Sequence, residues 1–100
     1  MRKYVKVLVE SPNDKKAGNH SVKLYSCLIS YDYKKERDGK LVVIHATRVF
    51  LYHGNIICYV DDDDRCFWLT HAGWFTSSTT CALNGYREYF ESIGYKNMTE

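Results

Sequence analysis

Four histidines, His20, His45, His53 and His71, and four cysteines, Cys27, Cys58, Cys66 and Cys81, are the side chains of this chain best suited to act as general bases and nucleophiles. Their spacing selects no pair. There is no C-x-x-C and no close Cys/His grouping, so a zinc site is not expected. Reduced thiols are the expectation, and only Cys58 and Cys66, which flank a predicted hairpin, have an obvious way to face each other. The run Asp61-Asp62-Asp63-Asp64 has the oxygen ligands that calcium or magnesium takes. It lacks the alternate spacing, the glycine and the distal Glu of a hard-cation loop, and reads as a solvated hairpin turn. A Gly-rich phosphate loop, an H-x-E with C-x-x-C deaminase pair and a recognisable carboxylate pair are all missing. No catalytic residue, metal or cofactor is therefore expected, although a small Cys/His hydrolase is kept as an alternative.

The most distinctive chemistry lies before the C-terminal helix. Trp74, Phe75, Thr76, Ser77, Ser78, Thr79 and Thr80 put two large aromatics beside a hydroxyl cluster that also opens the helix. Free amides and hydroxyls there suit an anion, and an exposed ring suits a base or a partner's pocket. The structural alternative is that the aromatics wedge the helix against the sheet while the hydroxyls cap it. A second candidate surface is basic. Cut after Arg48, the first part has eleven Lys/Arg against five Asp/Glu, a net +6, and the remainder three against seven, a net −4. Lys3, Lys6, Lys15, Lys16, Lys23, Lys34, Lys35 and Arg37, with Tyr31 and Tyr33 as stacking groups, would meet a nucleic acid. Lysines that blunt edge strands explain the same composition.

These residues need elements to position them. One hundred residues fit one domain with one core. No apolar run reaches the roughly 20 residues of a membrane span, and the charged N-terminus does not read as a signal peptide, so a cytoplasmic protein without membrane contact is expected. Residues 4–9 are β-branched and partly alternating, and read as a first strand ended by Ser11-Pro12-Asn13-Asp14. Residues 15–20 are polar and mobile in character. Residues 22–29 alternate as a strand, and Asp38-Gly39 suits a hairpin turn. Residues 41–44 and 49–52 read as strands with a bend or bulge between them. Gly54-Asn55 marks a hairpin into residues 56–60, and a four-residue turn pairing Val60 with Arg65 leads into residues 66–69. In that register Ile56, Cys58, Val60, Phe67 and Leu69 share one face, and Ile57, Tyr59, Cys66 and Trp68 the other. Beyond Gly73 the period becomes helical: Leu83, Tyr86, Phe90 and Ile93, widened by Ala82 and Tyr89, predict a helix over 79–93 with a hydroxyl N-cap at or near Ser78 and Gly94 as its stop. The expected fold is α+β, an antiparallel β-sheet meander of about five strands packed against one C-terminal α-helix.

Over residues 49–90 the chain resembles small proteins of unknown function encoded by bacteriophages and mobile elements. The resemblance is carried by Tyr52-His53-Gly54-Asn55, Tyr59-Val60-Asp61, Gly73-Trp74-Phe75-Thr76, Ser78-Thr79-Thr80 and Leu83-Asn84. In those proteins a basic residue often stands just before the Leu-Asn pair, where this chain has Cys81-Ala82, which weakens a phosphate-binding role for the helix start. The resemblance implies an accessory phage product. With the missing catalytic frame, it leads to the expectation of a non-enzymatic protein that binds a host protein or protein–nucleic-acid complex, inhibiting host machinery or defence in the manner of an anti-CRISPR. Direct nucleic-acid binding is the rival, and homodimerisation through an open sheet edge is compatible with either.

Overall fold

The computed structural model describes residues 3–32, 41–73 and 75–99. Along the chain run α1 (Lys3–Val9), β1 (Lys15–Ala17), β2 (His20–Asp32), β3 (Leu41–Tyr52), β4 (Asn55–Asp61), β5 (Cys66–Leu69), α2 (Ser77–Ser92) and β6 (Lys96–Asn97). The six strands form one sheet in sequence order, antiparallel except for the parallel pair β5–β6. This is the expected α+β meander closed by a C-terminal helix, with two short strands, β1 and β6, and a second helix, α1, that were not expected.

The segment read as a first strand is the helix α1. Val5, Leu8 and Val9 are buried while Lys6 and Val7 are exposed, a three-and-four spacing that only a helix places on one face. The β-branched residues suggest a strand, but burial of that stripe overrides a weak local propensity. Residues 15–20 are ordered too: β1 returns into β2 through Gly18, at φ 64°, with Ala17 opposite His20. The two short strands expected at 41–44 and 49–52 are one, β3. The irregularity between them appears on the partner strand, where the β2 register shifts between Leu24 and Cys27, and Asp14 Oδ1 accepts the Leu24 amide at 2.9 Å. Asp32 pairs with Leu41. The expected Asp38-Gly39 turn lies outside the described residues.

The β3–β4 hairpin turns on His53-Gly54, one position earlier than read, with φ of 51° and 79°. Two positive φ values match the right-handed twist of the strands, which is why Gly is wanted there. Ile57 is the extra residue of a bulge, since Phe50 pairs with Cys58 but Leu51 with Ile56. The bulge swaps the two isoleucines: Ile57 joins the helix-side core with Cys58, Val60, Phe67 and Leu69, and Ile56 packs against Val49, Leu51 and Tyr59 on the other side. In the β4–β5 hairpin Val60 pairs with Phe67, not Arg65. A slip of two keeps every other face as expected.

Both helices cover one face of the sheet. Val5, Leu8 and Val9 of α1 and Ala82, Leu83, Tyr86 and Phe90 of α2 meet Val22, Phe50, Val60 and Phe67. Ile93 is not in this stripe and is exposed; it is the C-cap, and Gly94 follows at φ 91°. The opposite face buries Ile44, Ala46, Val49, Leu51 and Tyr59 within the chain. Cys58 and Cys66 are free thiols, and Cys58 pairs with Leu69 while Cys66 pairs with Asp61. They therefore occupy opposite faces and do not bridge. No helix among the described residues is long and apolar enough to cross a membrane.

One core group is out of place chemically. Tyr86 is fully buried against Phe50, and its hydroxyl has no hydrogen-bond partner among the described residues. Burying an unsatisfied hydroxyl costs about 1–3 kcal/mol. Tyr86→Phe should therefore leave stability unchanged or raise it by up to about that amount in chemical denaturation. A loss above 1 kcal/mol would show that the hydroxyl is satisfied.

Candidate functional site

Strand pairing brings three chain reversals to one end of the sheet. The His53 amide donates to Asn19 O at 2.8 Å, joining the first two hairpin tips, and the Thr70 amide donates to Ile57 O at 2.9 Å, holding the β5–α2 connection beside them. Ala72 and Gly73, both at positive φ, then swing the chain toward α2. Thr76 is the N-cap. Its Oγ1 accepts the Thr79 amide at 3.2 Å and lies 3.0 Å from Thr79 Oγ1. The cap is two residues earlier than Ser78, so the helix begins at Ser77.

Two adjoining concavities flank this helix start. The larger, about 460 Å³, is lined by Tyr52, His53, Asn55, His71, Ser78 and Thr79 among others. The second, about 350 Å³, is lined by Val5, His20, Tyr52, Ser77, Ser78 and Cys81 among others. Tyr52 and Ser78 belong to both, making one groove. Rings line it: His20 stacks on Tyr52 at 4.6 Å and His53 packs at 4.3 Å on the same ring. Burial, and then the neighbouring His53, lower the proton affinity of His20. Phe75 is 67% exposed and stacks on His71 with centroids 4.5 Å apart. It does not wedge the helix against the sheet; it lines neither concavity and meets the groove through His71, which lines the larger. The first-turn amides of Ser77 and Ser78 have no intrahelical acceptor, so the helix presents donors and the positive end of its dipole there.

Of the residues expected at this site, Ser77, Ser78 and Thr76 line the groove. Thr79 also lines it but is buried, its hydroxyl joined to the cap. Thr80 is exposed and lines neither concavity. Trp74 lies outside the described residues. Tyr52, His53, Asn55, His71, His20 and Cys81 also line the groove, and none of them was expected there. The only signal for them was that His53 and His71 sit beside predicted turns, and it takes the β4–β5 pairing to set those turns side by side.

The basic set divides. Lys15, Lys16 and Lys23 are exposed on β1 and β2, with β1 at the edge of the sheet, and Lys6 is exposed on α1. Tyr33, Lys34, Lys35 and Arg37, and the side chains of Lys3 and Tyr31, lie outside the described residues. Among the cysteines, burial raises the Cys58 thiol strongly, and burial with Asp61 and Asp64 raises Cys66, which keeps both as inert thiols. Cys81 is exposed.

The other end of the sheet holds a polar network that is structural. Asp62 is not solvated as expected of the acidic run. Its carboxylate accepts Arg48 Nε and Nη2 at 2.9 and 2.7 Å, the Tyr95 hydroxyl at 2.7 Å, and the Thr47 hydroxyl. Arg48 Nη1 also donates to Val9 O at 2.9 Å, tying down the end of α1. Asp61 is buried, and only Asp63 and Asp64 remain exposed in the turn.

No protein-family model, curated protein or solved structure matches this chain.

Proposed function

We propose that this chain is a non-enzymatic binding protein, an accessory product of a phage or mobile element, whose groove at the start of α2 receives a segment of a host protein and so inhibits it. The reading rests on Phe75, an aromatic ring that is 67% exposed and stacks on His71, a residue lining the concave surface. Large exposed rings beside pockets are where binding energy concentrates. The groove's imidazoles, hydroxyls and helix dipole fit a segment with an acidic group next to an apolar anchor.

Phe75→Ala tests this without disturbing the fold, because the ring is 67% exposed and His71, on which it stacks, is itself only partly buried. Capture from host lysate should retain a discrete protein with the wild-type chain and lose it with Phe75→Ala, a weakening of at least about 30-fold, or about 2 kcal/mol. Stability should change by less than about 0.5 kcal/mol. Equal capture by both forms would remove the groove from the account.

Nucleic-acid binding is supported by a different observation, the exposed Lys15 and Lys16 on the edge strand β1 with the exposed Lys23 on β2. It requires affinity that falls steeply with salt and disappears when Lys15 and Lys16 are neutralised.

A further inference from the structure

We propose that His45, Asp61 and Asp63 form a binding site for a divalent transition-metal ion of the zinc or manganese class. The three residues come from the middle of β3, the last position of β4 and the following turn. One ligand atom from each lies within 4.8 Å of the others. His45 Nδ1 and Asp61 Oδ2 are 3.3 Å apart. Two ligands about 2.0–2.2 Å from a tetrahedral ion are separated by about 3.3–3.5 Å, so this edge already has the spacing a metal needs.

The pair is preorganised. Asp61 Oδ1 accepts the amides of Asp63 and Asp64 at 3.0 and 3.2 Å, which fixes the carboxylate with its other oxygen toward His45. A second observation is the burial of Asp61. Its residue is 3% exposed, and its one ionic partner among the described residues is His45, which is charged only when protonated. Arg48 is committed to Asp62. Buried carboxylates are paired with a charge or coordinate a metal, because desolvating one alone is prohibitive. An ion between His45 and Asp61 supplies that charge. The His45 side chain is 39% exposed and Asp63 is exposed, leaving an entry path and open positions for water.

The donor set decides the class of ion. One imidazole and two carboxylates suit zinc or manganese, whereas calcium takes six to eight oxygens. Sequence spacing concealed the site because His45 reaches the acidic turn across a strand pair.

The test is a calorimetric titration of the chelator-treated full chain with zinc chloride and with manganese chloride, compared with His45→Gln, Asp63→Asn and Asp64→Asn. Asp63 and Asp64 are both exposed, so neither Asn variant endangers the fold, and the two remove equal charge. Saturable binding of one ion is expected, weakened at least tenfold by His45→Gln and by Asp63→Asn and unchanged by Asp64→Asn. No saturable binding would overturn the proposal. Binding that survives both ligand variants would place the ion on other histidines and overturn it equally, as would an equal loss in Asp64→Asn, which would mark diffuse attraction to the acidic turn.

Discussion

Arg48→Met is expected to destabilise the protein by about 3 kcal/mol, read from chemical denaturation at neutral pH. An exposed ion pair contributes about 0–1 kcal/mol, whereas removing one partner of a buried pair costs about 3–5 kcal/mol because the other charge is left without compensation. Arg48 and Asp62 stand nearer the second case. Their side chains are 14% and 33% exposed, and the guanidinium makes two fork bonds to one carboxylate while lying 5.7 and 5.4 Å from the Phe50 and Phe90 rings. The variant also loses the bond to Val9 O that secures α1. Arg48→Lys should recover only part of the loss, since an ammonium cannot reproduce the fork. A loss below 1 kcal/mol in Arg48→Met would mean that the pair behaves as a surface pair.

The same network sets a pH dependence. Burial alone would raise the Asp62 carboxyl, but hydrogen bonds from Arg48, Thr47 and Tyr95, with the charge of Arg48, hold it below the usual carboxylate range. A folded pKa below the unfolded value gives stability that is present in full above the unfolded pKa of about 3.9 and is lost as pH falls through the folded one. Arg48→Met should therefore be less sensitive than the wild type to acid below about pH 4.

Phe90→Ala is expected to cost about 3–5 kcal/mol, enough to leave a domain of this size partly unfolded at 37 °C. Phe90 is fully buried, with ring centroids 5.9 Å from Phe50, 5.6 Å from Phe67 and 5.3 Å from Tyr95. It joins α2 to the centre of the sheet and to the segment that leads into β6. Little can collapse into its space, because the Phe50 and Phe67 rings are fixed by strands. Phe90→Leu should cost about 1–2 kcal/mol, as the remaining volume limits the cavity. Ile93→Ala, four-tenths exposed on the same helix, should change stability by under about 0.5 kcal/mol. Similar losses at positions 90 and 93 would contradict the burial of one stripe.

Helix α2 and the β3–β4–β5 meander were legible in the sequence because Leu83, Tyr86 and Phe90 recur at one period and because Gly54 and the acidic run punctuate the strands. What was hidden depends on contacts between distant positions. The stripe Val5, Leu8, Val9 is too short to outweigh its β-branched composition until α2 and Arg48 receive it. The strand β6 is two residues long and forms only because α2 returns the chain beside Cys66. A bulge cannot be read from Ile56 and Ile57, since both are apolar and either can face the core. The start of α2 was legible as a place to look, through its hydroxyls and aromatics. The groove was not, because Tyr52, His20 and His71 reach it only through strand pairing. Asp62 and Asp61 read alike in a run of four aspartates, yet one is fixed by Arg48 and the other is buried beside His45.

The groove is most directly tested by replacing Phe75 with photoreactive benzoylphenylalanine and irradiating cells that express the chain, with the same probe at Lys16 as the comparison. A discrete covalent adduct with one host protein is expected from position 75 and none from position 16. Adducts with nucleic acid from position 16, or no protein adduct from position 75, would contradict it.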